Sequence, residues 1–396
     1  MNSGARRNHV AILGAGITGC CLALFLARQG FRVSLFDSNN APMQGASRWN
    51  EGKIHLGYLY GADSSLATAK HVLPGGLTFK PLMQQLLEQD ISQHVTEGDD
   101  VFLIHRHSVV DAATAHAYYR TVDDLFAGSA NATDYLCDLT GKATRQLSAA
   151  ELGRITDSPE VEAGFKVPER SVNTHWLADQ LCAAVIAQEN VSLRTGEHVT
   201  GVHKRDGAEQ HWQVSTDSTS ESFPCVVNAL WQGRPTIDAM LGLPQPDEWS
   251  ARYRLALFVK TRRTLETPSA VVGVGPFGDI KNYNGRDFYL SWYPAGLVYD
   301  ADNASKAGIE AAPEFNESAV REATIAGLSS VFSGVEELMA NAIDVRVGGG
   351  WVVAQGRGAL SAPDSSLHRR DRFGVSRMGS YYSVDTGKYS TAPWLA

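Results

Sequence analysis

The sequence contains no Cys-x-x-Cys pair, no run of basic residues, no internal repeat and no low-complexity stretch. Its five cysteines (Cys20, Cys21, Cys137, Cys182 and Cys225) fall at irregular spacing, which does not read as a disulfide framework, so a reducing, cytoplasmic setting is expected. Lys and Arg total 35 against 43 Asp and Glu, a formal net charge of −8. That balance argues against nucleic acid and anionic membrane as partners, because Arg369 and Arg370 are diluted by Asp371 and no other basic cluster is present. His105 and His107 have no third ligand nearby in sequence, so no metal site is expected. The longest nearly uncharged run, Val10 to Ala27, is broken by Gly14, Gly16 and Gly19. An apolar signal core or membrane anchor would carry leucine there, so no integral membrane segment is expected. What is present is a 396-residue chain, 43% hydrophobic and 20% charged, with the size and composition of a folded enzyme.

The glycines at 14, 16 and 19 carry the strongest local signal. Val10, Ile12 and Leu13 read as a buried strand, and Leu22, Leu24, Phe25 and Leu26 as a helix ending at Gly30. Gly14-Ala-Gly16-Ile17-Thr18-Gly19 lies between them, the strand–turn–helix context in which this motif binds a dinucleotide. Gly14 permits the tight turn, Gly16 lets backbone approach a pyrophosphate at the helix N-terminus, and Gly19 allows close packing. Asp37 follows Gly19 by 18 residues at the end of a second strand, placed to accept hydrogen bonds from a ribose. The motif alone does not separate FAD from NAD.

Further along, helices are expected over about 77–91, 112–126, 174–189 and 313–340, with a mostly β segment over 252–296. A chain that opens with a mononucleotide-binding unit, inserts mixed α and β elements and then returns to it suggests two interleaved domains.

Four more segments resemble the flavin-dependent D-amino-acid oxidase superfamily, with motifs nearest the glycerol-3-phosphate and L-2-hydroxyglutarate dehydrogenase type. They are Ala46-Ser47-Arg48-Trp49-Asn50-Glu51-Gly52-Lys53-Ile54-His55-Leu56-Gly57, then Val226-Val227-Asn228-Ala229, then Gly356-Arg357 with Pro363-Asp364, and finally Thr386-Gly387-Lys388-Tyr389-Ser390-Thr391. After Ala229 the superfamily usually continues with Ala-Gly, whereas Leu230-Trp231-Gln232-Gly233 stands here.

The resemblance implies FAD as cofactor. It also implies an α/β fold in which a Rossmann-type FAD-binding domain (1–80, 150–235 and 341–396) is interleaved with a mixed α+β substrate domain (81–149 and 236–340) having a large antiparallel sheet. Ser47, Arg48, Asn228, Ala229, Gly356, Arg357 and the Gly387–Thr391 turn join the glycine motif and Asp37 as expected cofactor contacts. Reduced flavin carries negative charge at its N1–C2=O end, and Lys388 with its turn is expected to stabilise it. His55 is expected to be a base, a substrate hydrogen-bond partner, a covalent flavin link or a packed core histidine.

On the substrate side, Tyr283, Tyr289, Trp292 and Tyr293 are candidates to wall a pocket, although half-buried sheet positions favour aromatics in any case. Many substrates of this superfamily carry a carboxylate that an arginine grips, which makes Arg286, Arg346 and above all Arg357 candidates. The expected activity is removal of a hydride from a carbon bearing an amine or hydroxyl in a small molecule, with electrons passed to oxygen or a carrier. An NAD(P)-linked dehydrogenase, or a degenerate flavin-fold protein that binds a partner, are the alternatives.

Overall fold

The computed structural model describes residues 8–205, 211–302 and 311–396. A six-stranded sheet has the strand order Gly374–Met378, Tyr381–Asp385, Cys225–Asn228, His9–Leu13, Arg32–Asp37 and Val191–Thr195. All its pairings are parallel except that between the first two strands. Both faces of the central strands His9–Leu13 and Arg32–Asp37 are covered, so these two read as largely apolar runs rather than alternating ones. Val10 and Ile12 pack with the helix Ile17–Arg28 in one core, while Ala11 and Leu13 face a second core. That second core is closed by the antiparallel strands Val199–Lys204, Trp212–Thr216 and Ser220–Phe223. The run Val10 to Ala27 is therefore the first strand and helix of this unit.

The larger sheet is built around the 13-residue strand Trp249–Thr261. It pairs along its length with Ala342–Gln355, and also with Leu297–Asp302 and Asp287–Trp292. Beyond these lie Gly278–Asn282, Ala270–Val272, Asp100–His105, Val161–Val167 and Arg145–Gln146. The sheet is mostly antiparallel, with one parallel pairing between Ala270–Val272 and Asp100–His105. Val161–Val167 and Ala342–Gln355 fall inside it, so the expected domain boundaries at 150 and 341 cut through a hydrogen-bonded sheet.

Two helices depart from expectation for stated reasons. The segment over 313–340 forms two helices, Glu317–Ser329 and Val335–Ala340, separated at Gly334 with φ +86°. The other runs Ala67–Leu87, about ten residues ahead of the periodic signal, through Pro74, Gly75, Gly76 and Pro81. Those residues are poor helix formers. Their smallness is used: a Cβ at Gly75 would stand 2.9 Å from Thr391 Cα, and one at Gly76 would stand 2.2 Å from the His55 carbonyl oxygen. The helix is narrow where two segments of the site cross it.

Candidate active site

A cavity of about 830 Å³ runs between the two sheets. Gly14, Ala15, Gly16, Ile17 and Thr18 form one part of its wall, with Asp37, Ser38 and Asn39 beside them. Gly14 has φ +96°, and Gly19 sits so close beneath it that a Cβ there would lie 1.8 Å from the Gly14 carbonyl oxygen. Gly19 is thus a packing residue rather than part of the wall. Gly16 caps the helix without a side-chain hydrogen bond. First-turn N–H groups at such a terminus are available to an anion. Ser47 Oγ accepts from the Ile17 N–H at 3.0 Å, and Asp37 Oδ2 accepts from the Ala15 N–H at 2.8 Å. Asp37 therefore braces the glycine turn; its Oδ1 already accepts from the Asn39 N–H and Nδ2, both at 2.8 Å, so Oδ2 is the oxygen that retains a lone pair for a further donor.

The opposite part of the wall comes from Glu51, Lys53, His55, Arg254, Tyr289, Gly387, Lys388 and Tyr389. The Lys388 turn is tied to the glycine helix by Thr18 Oγ1 and Thr386 Oγ1, 2.7 Å apart. Gly387 adopts φ +64°, and Thr391 Oγ1 donates to the Lys388 carbonyl at 2.7 Å. Lys388 Nζ lies 5.5 Å from the Tyr60 ring centre and has no carboxylate within 4 Å among the described residues. Burial, with the charges of Arg370, Arg254 and Arg252 against the weaker pull of Glu51, lowers its ammonium to about 7.

His55 is buried, with Nδ1 unpartnered and 4.0 Å from Glu169 Oε1. Burial and then the Lys388, Lys53 and Lys281 charges hold its pKa well below the ordinary histidine value, so the ring is neutral. Behind it lies a dry ionic cluster. Asp100 Oδ2 accepts from Lys53 Nζ at 3.1 Å and from Lys281 Nζ at 2.5 Å, and Lys53 Nζ is 3.7 Å from Glu169 Oε2. Burial pushes the Asp100 carboxyl up, but Lys281 and Lys53 outweigh it and hold it below the usual range.

Several expected site residues lie elsewhere. Arg48 turns to Asp179, 2.6 Å away. Asn228 is buried, donating to the Arg234 carbonyl, Asp238 Oδ1 and Tyr381 OH, which leaves only its neighbour Ala229 on the cavity. Gly356 has φ +124°, and Arg357 after it leads outward to Glu248 at 3.0 Å, with its side chain 58% exposed. Arg357 is therefore outside the cavity, and its expected place there is corrected. Ser390 and Thr391 support the turn from behind rather than lining the cavity. Tyr283 donates to the Glu51 carbonyl, Trp292 packs against Gly327, and Tyr293 OH accepts from Arg252. Arg286 binds the Thr261 and Arg262 carbonyls, and Arg346 pairs with exposed Asp344. Of the four aromatics proposed for the pocket, Tyr289 alone is on its wall.

Sequence reasoning missed Glu51 and Arg254, together with Trp49, Trp231 and Trp351, which line the same cavity. Arg254 donates to Ser291 Oγ at 2.7 Å and stacks 4.6 Å from the Tyr293 ring centre, yet its Nε is buried without a partner. No carboxylate lies within 4 Å of it among the described residues. The available signal is two arginines, Arg252 and Arg254, just ahead of the apolar run Leu255 to Val259 on one strand. Trp49 reaches the wall because the facing strand is glycine there: a Cβ at Gly348 would sit 2.0 Å from the indole.

Residues 9–356 match the family model described as FAD dependent oxidoreductase. The chain belongs to this family. Its cofactor is accordingly FAD rather than NAD(P), and the chain is an FAD-dependent oxidoreductase. The fold resembles that of glycine oxidase from Geobacillus kaustophilus at TM-score 0.68 and 16% identity, covering 98% of this chain and 92% of that one. It also resembles the amino acid oxidase NikD at TM-score 0.67 and 14% identity, covering 98% and 91%. FAD-bound L-alpha-glycerophosphate oxidase from Mycoplasma pneumoniae gives TM-score 0.60 at 16% identity, covering 98% and 92%. A curated relative, the tRNA 5-methylaminomethyl-2-thiouridine biosynthesis bifunctional protein MnmC of Ralstonia nicotianae, is 43% identical over 47 residues. That match spans 12% of this chain and 7% of the relative.

The cavity suits FAD. It is long, it has an open helix N-terminus and an acidic strand end at one part, and it has a cationic turn at the other. No described helix is long and apolar enough to cross a membrane.

Proposed function

We propose that this family member oxidises a small carboxylate-bearing amine or alcohol, removing a hydride from the carbon next to nitrogen or oxygen to give an imine or carbonyl. The observation that carries the reading is Arg254: a cavity-facing guanidinium with a buried, unpartnered Nε and no carboxylate within 4 Å among the described residues. Asp279 and Glu51 hold this guanidinium charged from beyond 4 Å without occupying its Nε, which leaves a buried donor for an anion that enters the cavity. A planar carboxylate matches the guanidinium fork. The names of the structural neighbours, glycine oxidase and an amino acid oxidase, support an amine beside that carboxylate.

In this reading the glycine turn, Ser47 and Asp37 hold the dinucleotide, and the Lys388 turn faces the redox end. FAD, when bound, supplies the acceptor for the hydride. Arg254 fixes the carboxylate and so orients the C–H bond. Glu51 faces the same space and accepts a hydrogen bond from the substrate amine or hydroxyl. Lys388 Nζ, titrating near neutrality, takes the proton released from that nitrogen or oxygen. The ammonium so formed offsets the negative charge the hydride brings into the cavity. Tyr289 and Trp49 exclude water from the apolar wall between them.

The test is anaerobic mixing of the holoenzyme with 2-amino and 2-hydroxy acids, and with the matching amines and alcohols that lack the carboxylate. Bleaching of the flavin by members of the acid set alone is expected. Equal bleaching by the carboxylate-free set would remove Arg254 from its role.

A further inference from the structure

Beside the Lys388 turn lies a second, smaller cavity of about 120 Å³, lined by Gly356, Arg369, Arg370, Asp371, Arg372, Asp385 and Gly387, among others. Gly387 lines both cavities, so the two meet at this turn. The pocket's two carboxylates are each paired with an arginine: Asp371 with Arg369, its Oδ1 remaining buried without a hydrogen bond, and Asp385 with Arg234 at 2.9 Å while it also accepts from the Gly387 N–H. Arg370 is held by its backbone, whose N–H donates to Thr68 Oγ1 at 2.9 Å. Its guanidinium has neither an ion pair nor a hydrogen bond among the described residues.

Its surroundings add further unpartnered polar atoms. Tyr60 OH and Arg252 Nε are both buried and both lack a hydrogen-bond partner. Arg252 spends its other nitrogens on Tyr293 OH and Ser250 Oγ and reaches Asp300 only at 4.0 Å. Burial first, and then the Arg252 charge, lowers the Arg370 guanidinium to about 10, as expected of cations crowded without an anion between them. Arg252 and Arg254 are two residues apart on one strand and both contact Tyr293, through its hydroxyl and its ring respectively. The Arg254 wall and the Arg370 pocket are therefore neighbouring parts of one cationic surface.

We propose that the small pocket is a subsite for a second anionic group of the substrate, a carboxylate or a phosphate, held by Arg370 with Arg252 and Tyr60 behind it. The inference rests on the reading that Arg254 takes the first carboxylate. The preferred substrate is then a dianionic amino or hydroxy acid.

The experiment measures dissociation constants on the holoenzyme from the perturbation of its flavin spectrum, using propionate, glutarate and phosphoglycolate as probes. Glutarate or phosphoglycolate should bind roughly tenfold or more tighter than propionate, the factor expected of one added charge-assisted hydrogen bond. The tighter of the two names the second group. Arg370→Met, with its FAD content checked, should reduce that preference to within about threefold, and Arg370→Lys should restore part of it. Dianions that bind no tighter than propionate to the wild type, or a preference that survives Arg370→Met, would overturn the subsite. Equal losses for propionate and the dianions in Arg370→Met would also overturn it, by making Arg370 part of the first site. Propionate binding that ignores Arg254→Met would instead sink the Arg254 reading, and the second-group assignment with it.

Discussion

A Cβ on Gly76 would stand 2.2 Å from the carbonyl oxygen of His55. The helix Ala67–Leu87 thus supports the cavity-facing histidine through backbone contact, and a residue with no side chain is required at the crossing. Alanine is the better helix former by roughly 1 kcal/mol, so propensity alone predicts that Gly76→Ala stabilises. The contact predicts the opposite, because a backbone carbonyl cannot swing aside as a side-chain tip can. A net loss of about 1–3 kcal/mol in chemical denaturation is expected, with reduced FAD retention. A raised midpoint would contradict the packing described.

The same crossing explains what was and was not readable beforehand. Gly14, Gly16 and Gly19 are readable because their spacing between a strand and a helix is itself a local motif. Only Gly19 is constrained by nearby backbone, at Gly14, while Gly14 meets the Ala229 carbonyl and Gly16 meets Ser47 Oγ. The start of the helix at Ala67 was hidden because Pro74-Gly75-Gly76 answers to Thr391 and His55, far off in sequence. Arg357 was misplaced because a resemblance gives a position along the chain but not a direction, and the left-handed Gly356 sends the next side chain to Glu248. Arg254 went unseen because its wall exists only once Trp249–Thr261 has paired with Ala342–Gln355.

Asp100 bridges two ammonium groups, Lys53 and Lys281, where all three side chains are buried. Asp100→Asn keeps the shape and removes the charge, leaving buried Lys281 without an ion pair among the described residues and Lys53 with only Glu169, 3.7 Å away. Loss of about 3–5 kcal/mol is expected, read by thermal or denaturant unfolding. A loss under about 1 kcal/mol, the range of exposed pairs, would mean that water or another anion reaches the cluster.

Lys388 has a pKa near 7 in the folded chain, against an ordinary value of 10.5. Its neutral form is the one able to take the substrate's proton. The rate of flavin reduction divided by the substrate Kd should therefore rise with pH through about 7 and then level off. The groups that act on it are Arg370, Glu51, Arg254 and Arg252, and of these Glu51 alone draws the value upward. Lys388→Met should be slower and lose this step. In the protein without FAD the linkage sign is also fixed. Between about 7 and 10.5 the unfolded chain binds the extra proton, so stability rises with pH across that window, and below it the penalty is fully present. A flat profile in both assays would place the ammonium in bulk solvent.

The most direct test of the account is anaerobic stopped-flow reduction of the holoenzyme and its Arg254→Met variant by whichever carboxylate-bearing substrate bleaches the wild type. Loss of one charge-assisted hydrogen-bonding partner should weaken substrate binding roughly 10- to 100-fold. The carboxylate-free analogue should bleach the flavin of neither protein, with FAD content equal in the two. Unchanged affinity for the acid in Arg254→Met would contradict the central claim that this guanidinium holds the substrate beside the Lys388 turn.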